Sequence, residues 1–172
     1  MNFQAASRSQ GLWFEELCRA ILIDCGFTID GEHVDFTDAG VEVDLIATNR
    51  HAISFYNTCK GSYRGRRPGA QRTDTLKKAI AEAQALHAQG WGPILLLTSH
   101  LPNTHSGRAL LASVDPDVLF DAIDPLHNAR RLRWLAGADE ATLRRDLAAR
   151  RSLFTLAKPP RGYAVWPPNA AQ

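Results

Sequence analysis

Net charge is nearly absent from this chain: 20 lysines and arginines stand against 18 aspartates and glutamates, leaving +2 overall. The field of the whole molecule therefore does not mark a nucleic-acid binder, and any such role must come from local clustering. Long hydrophobic runs are missing as well. The opening MNFQAASRSQ carries none, so no secretion signal is expected, and no stretch approaches the roughly 20 apolar residues of a membrane-spanning helix. Cysteine is scarce. Cys18, Cys25 and Cys59 form no CxxC pair and no ligand set, and two of them fall on an apolar helix face, as buried thiols of a reducing compartment do. A cytoplasmic protein is the expectation. No Gly-rich phosphate loop, nucleophilic serine motif, zinc cluster, internal repeat or low-complexity tract occurs. Trp13, Trp134 and Trp166 are scattered, which argues against a base-stacking platform. His100 and His105 lack a third ligand at metal spacing and read as loop residues.

What is present fits a soluble α/β protein. With 172 residues, 45% of them hydrophobic and 22% charged, the chain is large enough for a sizeable core. Residues 9 to 25 have helical spacing: Phe14, Leu17, Cys18, Ile21, Leu22 and Cys25 form one stripe, with Gly26 as the stop. At about 100° per residue, Glu15 lies at the edge of that stripe and Glu16 points to solvent. Glu15 either faces the sheet or pairs with Arg19 at i, i+4. FTIDGEHVDFTDAG holds a short strand at most. VEVDLIAT and SFYNTCK read as a hairpin turning at Asn49-Arg50-His51. Thr75 to Gln89 should be a helix capped by Thr73 or Asp74 and ended by Gly90. PILLLTS, residues 93 to 99, has the unbroken apolar character of a strand covered on both faces. DVLFDAID (117–124) is a further strand candidate, a short helix lies before it, and a helix over 139–151 starts at the cap Asp139. Four prolines exclude regular helix or central strand from the tail, 158–172.

The hairpin carries the chemistry. By strand alternation Val41, Val43, Leu45 and Ala47 share one face and Glu42 and Asp44 the other, while Tyr56, Thr58 and Lys60 share a face of the second strand. Pairing the strands brings the acids beside Lys60. Carboxylates and a lysine on one side of a sheet are costly to desolvate unless an ion or an anion joins them. A divalent metal with a phosphodiester satisfies all three. A basic run follows directly: Lys60, Arg64, Arg66, Arg67, Arg72, Lys77 and Lys78 against the single acid Asp74. Because it begins at the site strand, contact with nucleic-acid phosphates is the favoured reading.

These residues resemble the PD-(D/E)xK nuclease superfamily, most closely its Mrr-like restriction endonuclease branch. GLWFEELCRAILIDCGF is similar to that branch's opening helix, with its Phe-Glu pair at Phe14-Glu15. VEVDLIA resembles the strand ending in the metal-binding aspartate, here Asp44. NTCKG resembles the acid-x-Lys strand, with Lys60 at the catalytic lysine. The basic loop, the next helix and GPILLLTS keep the family's order, and the likeness covers about residues 9 to 125. It implies a restriction-endonuclease-like mixed β-sheet flanked by helices over 1–125, followed by a helical extension over 126–157 and the proline-rich tail. It also implies an endonuclease that hydrolyses DNA with Mg²⁺ or Mn²⁺ in restriction, antiphage defence or DNA processing. Asp44, Lys60 and Glu15 would be catalytic, and Asp44, Glu42 and Glu15 would hold the metal. Arg64, Arg66, Arg67, Arg72, Lys77 and Lys78 would meet nucleic acid, and the C-terminal region would serve a homodimer or partner protein.

The sequence departs from the pattern at Thr58, where the family usually carries Glu, Asp or Gln. A hard cation prefers carboxylate oxygens, so this change weakens the site. Three readings follow. Glu42 supplies the missing carboxylate from the same strand, Glu15 supplies it from the helix, or the site is silent and the fold only binds nucleic acid or serves assembly.

Overall fold

The computed structural model describes residues 3–62 and 68–156, with side chains over 12–62 and 68–151. The elements run α1 (Phe3–Cys25), β1 (Thr28–Phe36), β2 (Val41–Thr48), β3 (Ser54–Lys60), α2 (Thr73–Ala88), β4 (Ile94–Thr98), α3 (His105–Ala112), β5 (Asp121–Ile123), α4 (Ala129–Gly137) and α5 (Glu140–Leu156). This is a mixed α/β architecture around one five-stranded sheet in the order β1-β2-β3-β4-β5. The first three strands are antiparallel neighbours, and β4 and β5 join in parallel through the crossovers that contain α2 and α3.

Two apolar layers sandwich the sheet. On one face Phe14, Cys18 and Leu22 of α1 and Leu132, Leu135 and Leu143 of α4 and α5 pack on Leu45, Ala47, Phe55, Leu95 and Leu97. On the other, Leu76, Ala79, Ile80, Ala83 and Leu86 of α2 cover Val43, Ile94 and Leu96. Both sides of β4 are therefore dry, as its unbroken run of aliphatic residues requires. The C-terminal helices share their core with α1 and the sheet.

Local chemistry sets the ends. Gly26, at φ 102°, closes α1 in a left-handed turn, with Phe27 N–H donating to Leu22 O at 3.1 Å. Asp139 caps α5 as its position suggests, accepting from Thr142 N–H at 2.8 Å. Asn49 fixes the β2–β3 turn: its Oδ1 accepts from His51 and Ile53 N–H, and its Nδ2 donates to Leu135 O and Ala138 O. All four bonds are used, so one buried amide ties the hairpin to α4.

Several expectations need correction. α1 starts at Phe3 rather than at residue 9, and the polar 27–40 stretch contains a full nine-residue strand. α2 begins at Thr73 behind Arg72 with no side-chain cap bond, so neither Thr73 nor Asp74 caps it. The strand expected over 117–124 shrinks to Asp121–Ile123, because a turn closed by Val118 N–H on Asp115 O occupies its first half. The helical extension expected over 126–157 holds two helices, α4 as well as the one read over 139–151, and the charged face of α4 hides a short stripe of Leu132, Leu135 and Ala136.

Candidate metal and phosphodiester site

β2 does not alternate cleanly. Val43 packs on the α2 side, whereas Leu45 and Ala47 pack on the α1 side, although residues two apart in a regular strand share a face. The expected common face of Val41, Val43, Leu45 and Ala47 is thus broken at Asp44. The β2–β3 ladder ends at the same point, its last pair being Leu45 with Asn57. Beyond it the strands part. Asn57 Nδ2 takes up Leu45 O at 3.1 Å, and Asp44 Oδ2 accepts Cys59 N–H at 2.5 Å, so side chains replace the missing ladder bonds. The opening exposes one buried carboxylate to groups from two directions.

On the α2 side stand Lys60 and Glu82. Lys60 Nζ is 3.8 Å from Asp44 Oδ2 and 3.1 Å from Glu82 Oε2, with the side chains of all three at most 17% exposed. Thr58 Oγ1 lies 3.1 Å from Glu82 Oε2 and 3.5 Å from Asp44 Oδ2, so its single proton sits between the two acids, nearer Glu82. Glu82 of α2 thus sets a carboxylate beside Thr58 and Lys60, and sequence reasoning missed it. The signal was there: Glu82 is three residues from Ala79 and four from Leu86, at the edge of the buried stripe, by the same geometry that singled out Glu15.

On the other side are Glu15, His33 and Asp44, whose candidate ligand atoms all lie within 4.8 Å of one another. They help to wall a cavity of 230 Å³. Glu15 reaches it because α1 lies close on the end of β3; a Cβ at Gly61 would fall 1.9 Å from Phe14 Cγ. The alternative i, i+4 pairing of Glu15 does not form: Arg19 turns to Glu32 at 2.8 Å and to Glu16 at 3.8 Å. His33 was also missed. It follows from register alone, since Glu32 opposes Leu45 and Val34 opposes Val43, which sets His33 across from Asp44. Glu42 does not join the group. It is exposed and accepts from His33 Nδ1 at 3.2 Å, so it does not fill the vacancy at Thr58.

The electrostatics match a site short of positive charge. Burial pushes the Asp44 carboxyl above the ordinary carboxylate range, with Lys60 and the Cys59 N–H opposing it. Burial, then the neighbouring Asp44, raises Glu15. The hydrogen bond to Glu42 raises His33. Glu15 Oε2 is buried and accepts no hydrogen bond. An orphaned carboxylate oxygen beside a second acid and an imidazole nitrogen is a donor set that a divalent cation fits. A larger, mostly apolar cavity of 460 Å³ lies elsewhere, among Ile53, Pro93, Phe120, Leu143 and Leu147, and contains none of these ligands.

Of the basic residues, Arg64, Arg66 and Arg67 lie outside the described residues. Their flanks are tied to the site: Ser62 N–H donates to Ser99 Oγ, and Ala70 N–H to Thr98 Oγ1, whose own hydroxyl reaches Lys60 O at 2.9 Å. Arg72, Lys77 and Lys78 are exposed at the start of α2; Arg72 pairs with Asp74, and Lys78 leans towards Glu82 at 3.6 Å. Among the described residues no helix is long and apolar enough to cross a membrane. No protein-family model, curated protein or solved structure matches the chain, so the arrangement around Asp44 is what bears on function.

Proposed function

We propose that this protein is a divalent-metal-dependent hydrolase of phosphodiester bonds, acting on DNA as a restriction-endonuclease-like enzyme. The observation that supports it most is Asp44 itself: one buried carboxylate, at the point where two strands part, faces Lys60 on one side and Glu15 on the other. A cation held there by Asp44 and Glu15 would supply Lewis acidity, acidifying water and neutralising charge on the phosphoryl oxygens. The remaining work belongs to the chain. Glu82 and Thr58 fix the Lys60 ammonium, which sets a positive charge beside the scissile phosphate as its negative charge grows. Cys59 N–H holds the Asp44 carboxylate in orientation. The basic segment after Lys60 takes the flanking phosphates and carries little sequence information. Restriction, antiphage defence and other DNA processing all use this chemistry.

The competing reading is a silent relative that only binds nucleic acid, and Thr58 favours it. Supercoiled plasmid and single-stranded DNA, incubated with the protein and Mg²⁺ or Mn²⁺, separate the two. Metal-dependent nicking that EDTA stops supports the hydrolase. Binding at low salt with no cleavage in either metal supports the silent relative.

A further inference from the structure

We propose that His33 is a metal ligand held in place by Glu42, and that the site consequently prefers a transition ion to Mg²⁺. This rests on reading the Asp44 group as a divalent-cation centre. Three observations converge on it. His33 Nε2 lies 3.6 Å from Glu15 Oε2, and the ligand atoms of Glu15, His33 and Asp44 close to within 4.8 Å. Glu15 Oε2 is buried with no hydrogen-bond partner, so it has a lone pair free for a cation. The third observation concerns the opposite edge of the ring: Nδ1 lies 3.2 Å from Glu42 Oε1.

An ionised carboxylate only accepts, so Nδ1 carries a proton, and once the ring gives up its other proton to a cation the lone pair lies on Nε2, towards Glu15 and Asp44. A carboxylate behind a histidine is the usual device for fixing the tautomer and direction of a metal-bound imidazole. His33 adopts φ 51°, a left-handed conformation that histidine, like asparagine and aspartate, enters more readily than other non-glycine residues. Glu42 is therefore the orienting partner of the imidazole, and the ligand set is two carboxylates and one nitrogen.

Nitrogen changes the choice of ion. Mg²⁺ is hard and favours all-oxygen sites, while imidazole raises affinity for the later divalent ions of the first transition row. Affinity should climb from Mg²⁺ to Mn²⁺ to Co²⁺. The test is calorimetric titration of the full chain with each ion alone, together with the visible absorption of the Co²⁺ form. We expect Co²⁺ to bind at least about tenfold more tightly than Mg²⁺. His33→Asn, which tolerates the left-handed backbone, should lower Co²⁺ affinity about 10- to 100-fold, change the Co²⁺ spectrum and lower Mg²⁺ affinity by a smaller factor. Glu42→Gln should weaken Co²⁺ binding about tenfold while keeping the spectrum of the nitrogen-ligated ion. Equal affinities for Mg²⁺ and Co²⁺, or an unchanged Co²⁺ spectrum and affinity in His33→Asn, would overturn the inference without touching a carboxylate-centred nuclease. Tight Co²⁺ binding lost in His33→Asn, in a protein that cleaves no DNA, would uphold the inference while the hydrolase reading fell.

Discussion

Moving one carboxylate from α2 to β3 tests whether Glu82 fills the place that Thr58 leaves. A glutamate at 58 would enter a spot 3.1 Å from Glu82 Oε2 and 3.5 Å from Asp44 Oδ2. Two like charges about 4 Å apart repel by roughly 4 kcal/mol at an effective dielectric near 20. The new acid would escape part of this by taking up a proton, so Thr58→Glu alone should cost about 2–4 kcal/mol of metal-free stability. Glu82→Ala alone removes the nearest anion from Lys60 and leaves it, among the described residues, only Asp44 at 3.8 Å. That change should cost about 1–3 kcal/mol of stability and about 100- to 1,000-fold in cleavage. The double variant has the original number of charges. It should be more stable than the sum of its parts by about 2 kcal/mol or more, and should regain at least about tenfold of the lost cleavage. Urea denaturation of the four proteins in EDTA, with plasmid nicking in parallel, closes the cycle. Additivity within about 0.5 kcal/mol with no recovery of cleavage would refute the equivalence of the two positions.

Three further outcomes follow from the same geometry. Asn49→Ala removes four hydrogen bonds, taking from the buried Ala138 carbonyl and the half-buried His51 and Ile53 N–H groups their Asn49 partner while Leu135 O keeps the Ala138 N–H, and should destabilise the fold by about 3 kcal/mol; a denaturation midpoint unchanged from wild type would show that the amide does not join the hairpin to α4. Burial raises the Asp44 and Glu15 carboxyls above their ordinary values in the folded state, so around those values the folded protein binds more protons than the unfolded chain. Their contribution to metal-free stability is thus full below the ordinary carboxylate range and lost as pH rises through the folded-state values; in EDTA this decline should flatten in an Asp44→Asn/Glu15→Gln variant, and an undiminished slope would assign it to other groups such as Asp121. Replacing Arg64, Arg66 and Arg67 together by alanine should weaken DNA binding alike for all sequences and reduce its salt dependence, and an unchanged salt slope would place the phosphate contacts elsewhere.

Periodicity made part of this site legible. Helical angle singled out Glu15, and strand period with a tight turn brought Asp44 to Lys60. The same helical angle applied to α2 identifies Glu82, but only the packing of α2 on the sheet brings it to Thr58. His33 is different in kind. Its role depends on how β1 registers against β2 and on a left-handed backbone, neither of which a polar stretch such as DGEHVDF reveals. The break at Asp44 was hidden because Val41, Val43, Leu45 and Ala47 read as perfect alternation. Only packing between two helical layers shows that Val43 and Leu45 face opposite ways. In α4, Arg and Trp side chains masked a stripe of three buried residues, too short to stand out against a charged background.

The most direct measurement is the rate of plasmid nicking across a Mn²⁺ titration for the wild type, Asp44→Ala and Lys60→Ala, each purified identically and shown to be folded. The wild type should nick with saturating metal dependence, Asp44→Ala should fail at every Mn²⁺ concentration, and Lys60→Ala should remain inactive even when metal is saturating. Equal nicking by all three proteins, or none by the wild type in any metal, would show that the carboxylate and lysine around the parted strands do not form a phosphodiesterase centre.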